Sequence, residues 1–179
     1  MKYYIFDLDG TLADSMGYWY GSFREDERGD KERMRQVRLA MKEKYADIIQ
    51  PRPGAIELLE RLYSAGAEMC IASATDRRVS EPFMLKYGLY RFFRFYLDCT
   101  EAGAHKDKPD IYLQAAERLG ASPPECTVVE DSAYCAETTQ CGFQGDRYLR
   151  PEYRSARRCF AVLGRVHQGS FRVSVLKFD

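Results

Sequence analysis

From residue 54 onward the chain alternates between two patterns, and this alternation limits its fold more than any other feature. Residues 54–65 place apolar side chains at 55, 58, 59 and 62 and are followed by Gly66, the pattern of an amphipathic helix with a glycine stop. A short apolar run follows at 67–72, AEMCIA, then a helical stretch at 78–87 and a second run at 92–97, FFRFYL. Periodicity alone does not separate strand from helix in so short a run; its place in the alternation reads as strand. A helix over 110–119 ending at Gly120, a strand over 126–129 and a helix over 132–140 before Gly142 continue the series. At the start, KYYIF at 2–6 reads as a buried strand that stops at an acid. Strands alternating with helices imply βαβ units, a mostly parallel sheet and helices on both faces: an α/β fold with a Rossmann-like three-layer α/β/α core.

Residues 14–50 break this rhythm. Met16, Trp19, Tyr20 and Phe23 recur at helical spacing, and so do Met34, Val37, Met41, Tyr45 and Ile48. Between the two stripes lies EDERGDKER, where Gly29 marks a break and Asp30 is placed to cap the second helix. The segment reads as a helical hairpin closed off by Pro51 and Pro53. Past 143 the pattern weakens: 151–163 reads as a helix and 171–176, FRVSVL, as a late strand.

Charge and composition exclude more than they select. Lys plus Arg and Asp plus Glu both number 27 in 179 residues, so bulk charge gives no reason to expect nucleic acid or a membrane surface as partner. The basic and aromatic stretch KYGLYRFFRFY at 86–96 is explained by core packing of a helix and a strand. The segment 147–172 holds seven arginines and one acid, Glu152, with Arg150, Arg154, Arg157 and Arg158 on one helical face. It reads as a solvated basic face, with an anionic substrate tail or partner as the alternative. Six cysteines, at 70, 99, 126, 135, 141 and 159, form no CxxC pair and no zinc spacing, and read as reduced, mostly buried thiols. Two histidines, His105 and His167, are too few for a His-rich metal site. Lys2 is followed by only four apolar residues, which is no signal peptide, and no apolar stretch approaches the roughly eighteen residues of a membrane span. The expected compartment is the cytoplasm.

In an open parallel sheet, sites form at the carboxyl ends of the strands. Those ends carry Asp7-Leu8-Asp9-Gly10-Thr11, Ser73-Ala74-Thr75, Lys106 after a loop, and Glu130-Asp131-Ser132. Parallel strands would gather Asp7, Asp9, Glu130 and Asp131 at one edge, and such a cluster needs protons or a cation. An all-oxygen set suits Mg²⁺, which keeps room for a substrate phosphate. A single lysine on the rim suits a phosphate or a carboxylate nucleophile. These are the parts that phosphoryl transfer needs, and an Asp can itself attack phosphorus.

With these residues in place, the sequence resembles the haloacid dehalogenase-like hydrolase superfamily over roughly residues 1–145. DLDGT at 7–11 resembles its first motif, CIAS at 70–73 its second, Lys106 its third and EDS at 130–132 its fourth, all in order. HKDKPDIYLQAAERLGASPPECTVVEDS resembles the third-to-fourth motif stretch of the phosphoglycolate phosphatase and β-phosphoglucomutase branch. The resemblance implies Asp7 as nucleophile and metal ligand. It implies Asp9 as general acid–base, with its backbone carbonyl on the metal, and Thr11, Ser73 and Ala74 as phosphate-binding positions. Lys106 would bridge Asp7 and the phosphate, and Glu130 and Asp131 would complete the magnesium site. Lys108 competes for the lysine role; the family spacing Lys-x-x-Pro-Asp fits Lys106 through Asp110.

The resemblance further implies a core of residues 1–13 and 51–179, with 14–50 as a reduced helical cap. Relatives carry a larger cap. So small a cap leads us to expect an open site with loose specificity, a bulky phosphorylated substrate, or a lid completed by another subunit. Trp19 stands in the part of the cap entry where the mutase branch carries a histidine, which lowers the mutase reading, and Asp9 argues against carbon–halogen cleavage. The expectation is a magnesium-dependent phosphomonoester hydrolase acting on a small phosphorylated metabolite. The alternatives are a phosphomutase or a non-catalytic phosphate-binding protein. A homo-oligomer is left open by the sequence, with nothing in it that argues for one.

Overall fold

A computed structural model describes residues 3–22 and 29–132, with the backbone of 160–167 and 170–177. Its sheet has six strands: β1 (Tyr3–Phe6), β2 (Glu68–Ser73), β3 (Tyr96–Asp98), β4 (Cys126–Glu130), β5 (Phe160–His167) and β6 (Ser170–Lys177). Their order is β3-β2-β1-β4-β5-β6, and the first four run parallel. Phe6 lies opposite Ile71 on one side and Val129 on the other. Asp7 extends the ladder, its N–H donating to the Val129 carbonyl at 2.9 Å. The chain winds away from β1 toward β2 and later returns to β4 on the opposite side. That reversal opens a crevice beyond the carboxyl end of β1.

Side chains alternate across the sheet and build two cores. Phe6, Met69, Ile71 and Val129 face one way, onto α3 (Ala55–Ser64) and α4 (Arg77–Lys86). Ile5, Cys70, Ala72 and Val128 face the other way, onto α6 (Asp110–Leu119). Helices therefore cover both faces, and the α/β three-layer reading of the sequence holds.

The insertion contributes α1 (Met16–Tyr20) and α2 (Lys31–Asp47). Asp30 caps α2 by accepting from the Arg33 N–H at 3.0 Å. Val37, Met41 and Tyr45 recur one turn apart, and with Ile49 they lie in the same buried cluster as Phe6, Leu8 and Phe83. The Tyr45 ring meets the Phe83 ring at 6.1 Å. Lys86, at the end of α4, donates to the carbonyls of Ala46 and Asp47 at 3.0 Å each and so caps the last turn of α2. A fully buried large apolar side chain stabilises by about 1.5–3 kcal/mol relative to exposure. The insertion therefore draws its stability from the sheet-facing core.

Two readings change. The run at 92–97 contributes only its end to the sheet: a 3-10 turn at Leu89–Phe92 precedes β3. Leu89 and Phe92 are buried, and the Arg94 N–H donates to the Met69 carbonyl at 2.8 Å, so the chain packs inward before it joins the ladder. In this stretch the aromatics serve the core, while Arg91 pairs with Glu60 at 3.1 Å and Arg94 with Glu68 at 3.2 Å. The second change concerns 151–163. Residues 160–163 are strand, because β5 pairs antiparallel with β4 and along its whole length with β6. Residues 23–28, the helix expected over 132–140 beyond Ser132, Cys135, Cys141, Cys159 and the side chains of the arginine-rich segment lie outside the described residues. Among the described residues no helix is long and apolar enough to cross a membrane.

Candidate active site

Three strands deliver the acids and hydroxyls to one edge. Asp7 follows β1, Ser73 ends β2 and Glu130 ends β4, with Asp131 next. Asp7, Glu130 and Asp131 each place a carboxylate oxygen within 4.8 Å of the others. Lys106 arrives on the loop between α5 (Cys99–Ala102) and α6. It is buried, donates to Asp7, and donates to Glu130 Oε2 at 2.8 Å. Lys108, its rival in the sequence, is exposed. Thr11 donates to Asp131 Oδ1 at 3.4 Å. Ser73 is fully buried and its Oγ accepts from the Thr75 N–H at 3.0 Å; Ala74 sits exposed in the bend between them.

Asp9 has a separate environment. Its Oδ1 accepts from Ser15 Oγ at 2.5 Å, from Trp19 Nε1 at 3.1 Å and from the Tyr45 hydroxyl. Its Oδ2 accepts from Thr75 Oγ1 at 2.6 Å. Sequence reasoning missed most of this shell. Thr75 stood among the polar residues after β2 without a role. Tyr45 read only as part of an apolar stripe, and Trp19 only as the replacement of a histidine. Tyr112 was missed too; it donates to Glu130 Oε2 at 2.9 Å from α6. No spacing rule marks a phenol on a distant helix as a partner of an acid.

The electrostatics follow from burial. Asp7 is pushed well above the carboxylate range by its burial, then by the charge of Glu130, with Lys106 opposing. Asp131 rises to about 6 for the same first two reasons. Burial alone would lower Lys106, but the charges of Asp7 and Glu130 outweigh it and hold the ammonium charged. One ammonium thus faces three carboxylates, and the excess calls for a proton or a cation. Asp7 Oδ2 is buried and has no hydrogen-bond partner among the described residues. An orphaned carboxylate oxygen beside two further acids fits a hard cation with oxygen ligands.

Two outcomes follow. A raised carboxyl stabilises the fold below its unfolded value and loses that contribution as pH rises through the folded one. With chelator present, stability should therefore fall as pH rises from about 4 to about 6 through the Asp131 titration, and a divalent cation should remove the fall. Urea midpoints across that window, with and without cation, test this. A profile unaffected by cation would separate the acids from metal binding. The second outcome concerns Gly10, whose φ of +86° favours glycine. A Cβ there would meet Asp131 Oδ2 at 2.1 Å and its Cγ at 2.6 Å. Gly10→Ala should cost about 1–3 kcal/mol in urea unfolding and weaken cation binding, because Asp131 has to move. Unchanged affinity in calorimetric titration would exclude Asp131 from the cation site.

The geometry can now be set beside known proteins. Residues 21–137 match the family model described as haloacid dehalogenase-like hydrolase. The chain belongs to this family. A haloacid dehalogenase-like hydrolase domain-containing protein of Arabidopsis thaliana is 39% identical over 100 residues, 50% of this chain and 31% of that protein, so the chain spans about a third of that relative. The phosphorylated carbohydrates phosphatase of Thermotoga maritima is 24% identical over 166 residues, 74% of this chain and 77% of its own length. Among solved structures, CbbY from Rhodobacter sphaeroides in complex with phosphate superposes with a TM-score of 0.65 at 20% identity. That match covers 88% of this chain and 92% of the other. It is a likeness of fold. The family match begins beyond the Asp7–Thr11 motif, so the placement of those residues rests on the sheet register described above.

Proposed function

We propose that the protein is a magnesium-dependent phosphomonoester hydrolase with Asp7 as nucleophile, acting on a small phosphorylated metabolite. The observation that carries the reading is the buried Asp7, paired with Lys106, with one carboxylate oxygen that has no partner among the described residues, beside Glu130 and Asp131. Asp7, Glu130, Asp131 and the Asp9 carbonyl would hold Mg²⁺, which when bound supplies positive charge for the substrate phosphate and keeps Asp7 ionised. Lys106 carries charge to Asp7 and to the phosphoryl oxygens. Thr11, Ser73 and the backbone at Ala74 offer donors to those oxygens. Asp9 gives a proton to the leaving oxygen and then takes one from the water that hydrolyses the phospho-aspartate.

Residues 14–50 act as a small cap over a core made of 1–13 and 51–179. The Thermotoga relative's name supports phosphorylated carbohydrates as the substrate class. Cys70, Cys99 and Cys126 are free thiols, which suits work in the reducing cytoplasm. Phosphate release from a panel of sugar and other phosphomonoesters, with and without Mg²⁺, tests the reading. Magnesium-dependent release supports it. No release on any ester, with the metal shown to bind, would turn the reading to a phosphate-binding role. Conversion of a sugar phosphate to its isomer without release would turn it to a mutase.

A further inference from the structure

The four donors around Asp9 divide unevenly between its two oxygens. A carboxylate offers about two acceptor sites per oxygen. Among the described residues, Oδ1 receives three donors, from Ser15, Trp19 and Tyr45, while Oδ2 receives only the Thr75 hydroxyl. The Trp19 N–H is shared between Asp9 Oδ1 and the Tyr45 oxygen, both at 3.1 Å, so the indole and the phenol form one unit. Ser15 and Tyr45 are fully buried. The Tyr45 hydroxyl donates to Asp9 Oδ1. Tyr45 is fixed in turn by Phe83 of α4, and α2 by the Lys86 cap.

We infer that Tyr45 and Trp19 are positioning residues: with Ser15 they pin Oδ1 of Asp9 and leave Oδ2 as the oxygen that transfers the proton. An oxygen whose acceptor sites are filled by three donors has no room for a proton. Oδ2 has one free site, and a hydroxyl partner that turns from donor to acceptor without moving its oxygen. In the first step the ester P–O bond breaks as Asp7 bonds to phosphorus; the leaving oxygen keeps the electron pair and takes the proton from Oδ2. In the second, a water oxygen bonds to phosphorus, the Asp7–phosphorus bond breaks, and Oδ2 takes the water's proton. Both steps need Oδ2 turned to one place, and Tyr45 of α2 with Trp19 of α1 sets that orientation.

The inference rests on the general-acid reading of Asp9, so the test includes that residue. Tyr45→Phe, Trp19→Phe and Asp9→Asn are compared with wild type by kcat/KM on two substrates. One is an alkyl phosphate, whose leaving oxygen needs a proton; the other is dinitrophenyl phosphate, whose leaving group departs without one. Tyr45→Phe and Trp19→Phe should lower kcat/KM about 10–100-fold on the alkyl ester, a share of the 10²–10⁴ that general acid catalysis supplies. On the dinitrophenyl ester they should lower it by no more than about two-fold. A merely structural role would lower both substrates alike, and that outcome, or no fall on either, overturns the inference. If Asp9→Asn discriminates between the esters while the other two variants do not, only the positioning role fails. If Asp9→Asn fails to discriminate, the acid reading of Asp9 falls and takes the inference with it.

Discussion

Asp7→Asn should lower phosphate release on the order of 10⁴-fold or more, the scale on which removal of a covalent nucleophile acts, without lowering stability. The amide keeps the size of the carboxyl and loses its charge. In the metal-free protein one ammonium faces three acids, and Asp7 is the one whose ionised form burial disfavours first. Removing that charge relieves repulsion, while Lys106 keeps Glu130 at 2.8 Å. The thermal midpoint in chelator should stay level or rise while activity disappears. Retained activity would remove Asp7 from the chemistry. Lost activity with a fallen midpoint would mean the amide disturbed the fold, and would leave the nucleophile to be sought by trapping a phosphoenzyme.

Lys106→Met should damage both stability and turnover. The lysine is 7% exposed and neutralises acids that are 4% and 2% exposed. Removing one partner of a buried charged set costs about 3–5 kcal/mol, because the remaining charges stay buried without compensation. For a chain of this size that is a fall in Tm of about 10 °C. The loss depends on pH in a defined direction: the uncompensated acids take up protons as pH falls, so the deficit should shrink toward pH 5 and be largest near pH 8. Mg²⁺ should restore part of the stability, since it supplies the missing positive charge at the same acids, but should not restore turnover. Calorimetric melts at the two pH values, with and without metal, read all of this. A deficit independent of pH and metal would mean that Lys106 acts through packing alone.

The layers of the fold were legible because each follows from a short-range pattern. The acids after β1 and β4 were legible because parallel strands put their carboxyl ends on one edge, so the sequence alone could group Asp7 with Glu130 and Asp131. Lys106 was separable from Lys108 only through spacing within a motif; in the structure the two differ by burial. The Asp9 shell was not legible. Tyr45 lies thirty-six positions from Asp9 and has the periodicity of a core residue, which it also is. A side chain that packs with its ring and donates with its tip looks, in sequence, like the ring alone. The C-terminal strand pair was half legible. The alternation at 171–176 pointed to a strand, but its partner at 160–167 was partly assigned to helix, because pairing between segments leaves no local signature.

The shared core beneath α2 bears on how this protein could change. Where a lid is an independent module, evolution can exchange it and leave the catalytic body untouched. Here the segment that overlooks Asp9, α2 and the residues just after it, rests on Val37, Met41, Tyr45 and Ile49, which also close the hydrophobic layer under the sheet. Excising residues 14–50 would remove Val37, Met41, Tyr45 and Ile49 from that layer and should destabilise the remaining chain. Side chains on the outward face of α2, such as Arg38 and Lys42, are exposed and carry no part of that layer, so they can change without disturbing it. The inward face is held constant by the need to fold, and with it the orientation of Asp9. On the proposed role of Asp9, the residues that hold this layer together are also those that orient the proton-transferring group, so stability and proton transfer are inherited together.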